Sequence, residues 1–247
     1  MLSILFLISF QLYHICDKVK SAMIDTDDIF DELADAAALW CASDVDDTDL
    51  AAMMEIAASR GITDVAVSPE QVKTVWPWLE KTPIKISARF YLPARDSGLV
   101  ADDISDVSSQ ITTTFKYGAD TAQVFMRYND LADFVKCIAP IRSDLFFNKK
   151  LSIGLDINEI NPSDYLALFD ALRACGANSL LLAFPRDVGN KSDFVGRLYG
   201  LLGAWDDAWR GDIHFVFGTN EPRIDQTMRL ITAVQPKLAN NMKFFIG

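Results

Sequence analysis

From about residue 38 to the end, eight short β-branched or apolar runs alternate with longer stretches of helical period. Each strand-like run closes into the next unit at the spacing of a βαβ repeat, and none is followed by a glycine-rich GxGxxG turn. These three observations predict an α/β fold, a single-domain (β/α)8 TIM barrel, and argue against an open dinucleotide-binding sheet.

The elements follow in order. "ALWCAS" (38–43) is strand 1, and "DTDLAAMMEIAASRG" (47–61) is a helix capped by Asp47 or Thr48 and closed by Gly61. "TDVAVS" (63–68) is strand 2, with "PEQVKTVWPWLEK" a short helix behind it. "IKISARFYL" (84–92) is strand 3, followed by the polar loop "PARDSG" and a helix through "DDISDVSSQITTTFKYG". "ADTAQVFMR" (119–127), "KLSIGLDINE" (150–159), "NSLLLAF" (178–184) and "DIHFVFGT" (212–219) are strands 4 to 7, with helices near 130–143, 163–175 and 191–205 between them. "RIDQTMRLITAV" is the seventh helix and "MKFFIG" the eighth strand. A barrel built this way lacks its last helix, and the stretch near 25–37, or the apolar run 2–16, is expected to pack in its place.

A chain of 247 residues, half apolar and 23% charged, has the composition of one globular domain. The formal charge of -11 opposes binding to nucleic acid or an anionic membrane surface. Cys16, Cys41, Cys137 and Cys175 form no CxxC pair, which argues for free thiols in a reducing cytoplasm rather than a disulfide or zinc framework. Residues 1–22 read either as an apolar leader or as sequence upstream of a mis-called start, since Met23 opens a conventional beginning. The run "MLSILFLISFQLYHIC" is short of the roughly 20 residues of a membrane span. Lys18 and Lys20 follow it, the wrong order for a secretory signal. Residues 23–247 are then the barrel, and cytoplasmic residence is expected, with anchoring by residues 2–16 as the alternative.

Side chains alternate along a strand, so one set faces the barrel axis. In strand 5 the greasy set is Leu151, Ile153, Leu155 and Ile157, which turns Ser152, Gly154, Asp156 and Asn158 inward. The same alternation turns Ser87 and Arg89 inward on strand 3, and Thr121, Gln123, Phe125 and Arg127 inward on strand 4. Asp156, Asn158 and Gln123 are the candidate catalytic set, near the C-terminal strand ends where barrels keep their chemistry. Arg89 and Arg127, with Gly218 and Thr219, are the candidate substrate-binding set, because a guanidinium fork suits a small anionic metabolite. An internal ion pair of Asp156 with Arg89 or Arg127 is the alternative use of the same charges. Arg186, Asp187, Asn220 and Glu221 fall on the following loops and could join the rim.

With only His14 and His214, no multi-imidazole metal site can form, so no metal or other cofactor is expected, although an all-oxygen magnesium site on Asp156 and Glu159 stays open. His214 reads as a hydrogen-bonded core residue. "CASDVDDTD" places Asp44, Asp46 and Thr48 in a DxDxT pattern that resembles the first motif of haloacid-dehalogenase-type phosphatases, in which one carboxylate attacks and the second moves a proton. Capping of the next helix explains the same residues.

"DTDLAAMMEIAASRGITDVAVSPEQV", "YGADTAQVFMR", "ACGANSLLLAF" and "FGTNEPRI...MRLITAV...KFFIG", taken in order, resemble the deoxyribose-phosphate aldolase family over most of residues 44–247. The resemblance implies a barrel whose strand-6 lysine forms a Schiff base, helped by a strand-7 lysine and a strand-4 aspartate. Carried onto this chain, those positions fall at Leu181, near Phe215, and at Gln123. Leucine forms no imine, so the resemblance implies an aldolase-like barrel without the class I reaction. Lys85 and Lys243 lie near N-terminal strand ends, and the family's phosphate cradle is matched only by Gly218, Thr219 and Gly247. A second, local likeness of "GADTAQVFMRYNDLADFV" to a methylenetetrahydrofolate reductase strand would make Gln123 a substrate contact. A non-catalytic barrel acting through a homo-oligomer interface is the remaining alternative, with Phe125 and Phe184 plugging the mouth.

Overall fold

The computed structural model describes residues 30, 33–94, 98–183, 191–205, 209, 211–217 and 223–247. Eight parallel strands close on themselves in sequence order. They are β1 (Ala37–Trp40), β2 (Asp64–Val67), β3 (Lys85–Tyr91), β4 (Thr121–Phe125), β5 (Lys150–Asp156), β6 (Ser179–Ala183), β7 (Asp212–Phe217) and β8 (Phe244–Ile246). β8 pairs with β7 on one side and β1 on the other, so among the described strands no sheet edge is left open. The seven principal helices are α1 (Asp47–Ser59), α2 (Pro69–Leu79), α3 (Ala101–Lys116), α4 (Leu131–Ile138), α5 (Tyr165–Ala174), α6 (Lys191–Ala204) and α7 (Arg223–Val234).

The alternation read from sequence divides the core in two. One buried cluster joins Ala38, Trp40, Ala66, Phe125, Leu181, Val216 and Phe245, the alternate strand residues that face the barrel axis. The larger cluster joins their neighbours, among them Val65, Ile86, Val124, Ile153, Leu155, Leu180, Leu182 and Ile213, with the apolar faces of the helices. Phe215, Phe217 and Phe244 belong to this outer shell and stack on one another, with centroids 5.4 to 6.2 Å apart. The stretch ahead of β1 contributes Phe30 and Leu33 to the outer shell, both buried; the rest of 25–32 and the run 2–16 lie outside the described residues.

Local chemistry sets the element ends. Asp46, not Asp47 or Thr48, caps α1, its Oδ1 accepting from the N–H groups of Thr48 at 3.0 Å and Asp49 at 2.9 Å. Gln71 Oε1 accepts from the Ser68 N–H at 2.9 Å while its Nε2 donates to the Ala42 carbonyl at 2.7 Å, pinning the start of α2 to the loop after β1. At the barrel's N-terminal end, Lys243 Nζ donates to the Asp35 carbonyl at 2.6 Å and Thr63 Oγ1 at 2.7 Å, beside the Asp64 carboxylate at 3.4 Å. His214 Nδ1 accepts from the Lys243 N–H at 3.1 Å, and Ser152 and Ser179 share a hydroxyl–hydroxyl bond of 2.5 Å. Among the described residues no helix is long and apolar enough to cross a membrane.

Candidate functional site

Arg89 and Gln123 stand opposite each other in the β3–β4 register and both face the barrel axis. Arg89 is 4% exposed and Gln123 1% exposed. From β3 the arginine spans to the end of β1: its guanidinium carbon lies 4.2 Å from the Trp40 ring centroid, and Nη2 donates to the Cys41 carbonyl. Ala66 on the intervening β2 faces the same axis, in register with Trp40 on one side and Ser87 on the other. Arg89 Nε and Gln123 Oε1 are both buried without a hydrogen-bond partner. No carboxylate pairs with Arg89 among the described residues.

An aromatic wall stands beside this pair. Phe125 meets Trp40 edge-on at 5.7 Å between centroids and stacks on Tyr91 at 5.1 Å; Trp40 also meets Phe245 edge-on at 6.4 Å. The Phe125 ring lies across β5 at Gly154, where any Cβ would collide with it. Tyr91 is 49% exposed, so the stack reaches solvent at the mouth of the barrel. Strand alternation named Phe125; Trp40 and Tyr91 were missed, although both close strands at the mouth.

Asp156 closes β5 and is half-buried. Its Oδ1 accepts from the Asn158 backbone N–H at 2.8 Å and the Asn158 side-chain amide at 2.9 Å. Burial pushes the Asp156 carboxyl above the usual carboxylate range; the Asn158 bonds and the Arg197 charge pull the other way. Asn158 is not an inward strand residue: β5 stops at Asp156 and a 3-10 turn, Ile157–Glu159, folds the amide back onto it. Glu159 Oε2 accepts from the Tyr128 N–H at 3.1 Å, and burial, then the Asp156 charge, raise its carboxyl as well.

Arg127 likewise lies past the end of β4, at the cap of the turn Tyr128–Asp130. Its Nε and Nη2 donate to the two oxygens of the buried Asp130 at 2.8 and 3.0 Å. The expected convergence of two arginines on Asp156 is therefore not formed: Arg89 reaches β1, Arg127 clasps Asp130, and Asp156 pairs with neither among the described residues. A local Asp three residues along was the signal for this pairing.

Leu181 is fully buried and faces the axis within the apolar layer of Trp40, Phe125, Val216 and Phe245. On β7 Phe215 faces the helices, and the axial residues that flank it are His214 and Val216. The strand lysines Lys85 and Lys150 open their strands, and Lys243 precedes β8, all at the opposite end of the barrel. Asp44 and Asp46 are exposed in the turn before α1, and Asp46 is occupied as its cap, so the phosphatase reading of the DxDxT pattern has no support here. Gly218 and Thr219, like Phe184, Arg186, Asp187, Asn220 and Glu221, lie outside the described residues. No cluster of three or more His, Cys, Asp or Glu groups that could hold a metal occurs among the described residues.

Eight parallel strands closed in sequence order with helices outside define a (β/α)8 barrel. The fold is similar to that of a proposed deoxyribose-phosphate aldolase from Toxoplasma gondii ME49, at 17% identity and a TM-score of 0.67, covering 91% of this chain and 92% of that one. It is similar also to the tetrameric deoxyribose phosphate aldolase from Aeropyrum pernix, at 13% identity and a TM-score of 0.60, covering 78% and 80%. The proposed copper homeostasis protein CutC from Streptococcus agalactiae is alike at 13% identity and a TM-score of 0.60, covering 85% and 97%. At these identities the likeness is one of fold. No family profile matches the chain, and no curated protein matches it.

Proposed function

We propose that the chain is an aldolase-type barrel without class I imine chemistry that binds a small anionic metabolite, a carboxylate or sugar phosphate, noncovalently at its C-terminal mouth. The observation that carries this reading is the buried Arg89 guanidinium, seated on Trp40 with one nitrogen unpartnered and no carboxylate paired with it among the described residues. A buried cation without a counter-ion is costly, and an anionic ligand supplies the missing charge. Leu181 at the position where the resemblance implies the amine supports the noncovalent half of the proposal. Arg127, just past the end of β4, stands at the rim, and Gly218 and Thr219 enter the proposal only as the candidates read from sequence. If the bound molecule is turned over, Asp156, with Asn158 fixing it and Gln123 beneath, is the group suited to holding and moving a proton, since burial raises its carboxyl. No cofactor, nucleic acid or membrane partner enters the proposal, and the free thiols of Cys41 and Cys175 suit a reducing cytoplasm.

Borohydride treatment with a panel of aldehydes should leave no adduct on the parent chain. A thermal-shift screen of small carboxylates and sugar phosphates should give a ligand-dependent rise that Arg89→Ala removes. A trapped adduct on a barrel lysine, or no shift with any anion, refutes the proposal. A second reading is favoured by Phe125 lying across Gly154: a closed barrel that works through a homo-oligomer interface. That reading expects no anion response and a stable dimer or larger assembly in sedimentation.

A further inference from the structure

The two orphaned atoms beneath the aromatic wall are of opposite kind. Arg89 Nε is a donor without an acceptor, and Gln123 Oε1 is an acceptor without a donor. They belong to residues paired in register on adjacent strands, yet they do not satisfy each other. Buried polar atoms are nearly always partnered, so an open donor and an open acceptor on residues paired across adjacent strands call for a partner of matching chemistry. That partner must accept from a guanidinium and donate to an amide carbonyl.

Resting on the reading of an anion bound at Arg89, we propose that the ligand is a small 2-hydroxycarboxylate. Its carboxylate takes the Arg89 Nε–H, and its hydroxyl donates to Gln123 Oε1. The two functions sit on neighbouring carbons of such a molecule, and the residues they address stand on neighbouring strands. A plain carboxylate satisfies the arginine and leaves the glutamine oxygen orphaned; a neutral alcohol does the reverse and leaves the charge uncompensated. A single buried water could bridge both atoms but carries no charge. The surrounding surface of Trp40, Phe125, Leu181 and Phe245 is apolar, which restricts the rest of the ligand to a short hydrocarbon remainder. Ser152, opposite Gln123, is engaged with Ser179 and does not compete for the hydroxyl.

Isothermal titration and thermal shift with glycolate and L-lactate, against acetate, glycerol and glycerol 3-phosphate, test the assignment. Glycolate or L-lactate should bind, with acetate and glycerol each weaker by about tenfold or more, the usual worth of one buried hydrogen bond to a charged or orphaned partner. Gln123→Leu should bring the hydroxy acid and acetate to nearly equal affinity. Gln123→Glu should place a counter-charge against Arg89, abolish binding of all the anions, and keep the barrel folded. Binding of glycerol 3-phosphate but not of the hydroxy acids would overturn this assignment and leave the anion-binding proposal standing. No response to any anion would overturn both, with water as the only occupant. Unchanged hydroxy-acid affinity in Gln123→Glu would overturn the placement at this pair.

Discussion

Replacing Gly154 by alanine tests whether the mouth is closed at rest by Phe125. Gly154 is paired in register with Phe125, and a methyl group built on it would stand 2.7 Å from Cγ of that ring and nearer still to two other ring carbons. Carbon atoms rest about 3.5 Å apart or more, so the ring or the strand must move by roughly 1 Å. Phe125 is not free to move outward, because Tyr91 is stacked on one side and Trp40 stands edge-on to another. Overpacking of this kind costs about 1–3 kcal/mol. For a chain of this length each kcal/mol is worth about 2–4 °C, so the Tm should fall by roughly 2–12 °C. Thermal and urea unfolding, followed through tryptophan fluorescence because Trp40 touches the displaced ring, measure the loss. In a Phe125→Leu background the ring is gone, and Gly154→Ala should cost less by about 1 kcal/mol or more, the signature of residues in contact. Equal cost in both backgrounds, or a change within about 0.5 kcal/mol in the parent, would refute the placement of Phe125 across β5.

Leu181→Lys should place an amine in the apolar axial layer; burial lowers its pKa, so the variant is destabilised at pH 7 and recovers as pH rises toward about 10. Little pH dependence of that loss in urea titrations would mean Leu181 does not face the axis. His214 is held neutral, its pKa lowered to about 4 chiefly by burial, with the Lys243 and Lys150 charges lowering it further and the Asp64 charge opposing. The unfolded chain therefore binds the extra proton between about pH 6.5 and 4, and stability falls with pH over that window by about 3 kcal/mol. His214→Asn, which keeps an acceptor for the Lys243 N–H, should flatten that part of the curve. Asp156 acts in the opposite sense, because its raised carboxyl gains a proton in the folded state first. Asp156→Asn should accordingly raise stability at neutral pH, with the difference vanishing in acid. Asp46→Ala should lower stability by about 1 kcal/mol through loss of the α1 cap, and phosphomonoester hydrolysis should be absent both before and after the change.

The barrel was legible because period-two alternation on eight strands is a repeated signal, and it turned Ser87, Arg89, Gln123, Phe125 and Asp156 the right way. It misplaced Arg127 and Asn158 because alternation carries no information about where a strand stops. Both residues lie just beyond the last ladder position, where 3-10 turns redirect them to Asp130 and Asp156. Phe215 was ambiguous for another reason: in "DIHFVF" both strand faces are largely apolar, so only the pairing of Phe215 with Phe244 distinguishes the helix-facing set. The reach of Arg89 from β3 to Trp40 and Cys41 at the end of β1 is a tertiary event, readable only once β1, β2 and β3 stand together.

The three-residue β8 is the keystone of the ring. Its preceding lysine fastens it to Asp35 across 208 positions of sequence, and its ladder to β1 is the longest-range pairing in the sheet. Until that segment docks, β1 and β7 both present raw hydrogen-bonding edges. Closure of so distant a loop is slow, so the nearly complete barrel is the species most exposed to association with other chains, and refolding yield should depend on concentration. A few residues of chain thus separate a sealed cylinder from an open, adhesive sheet.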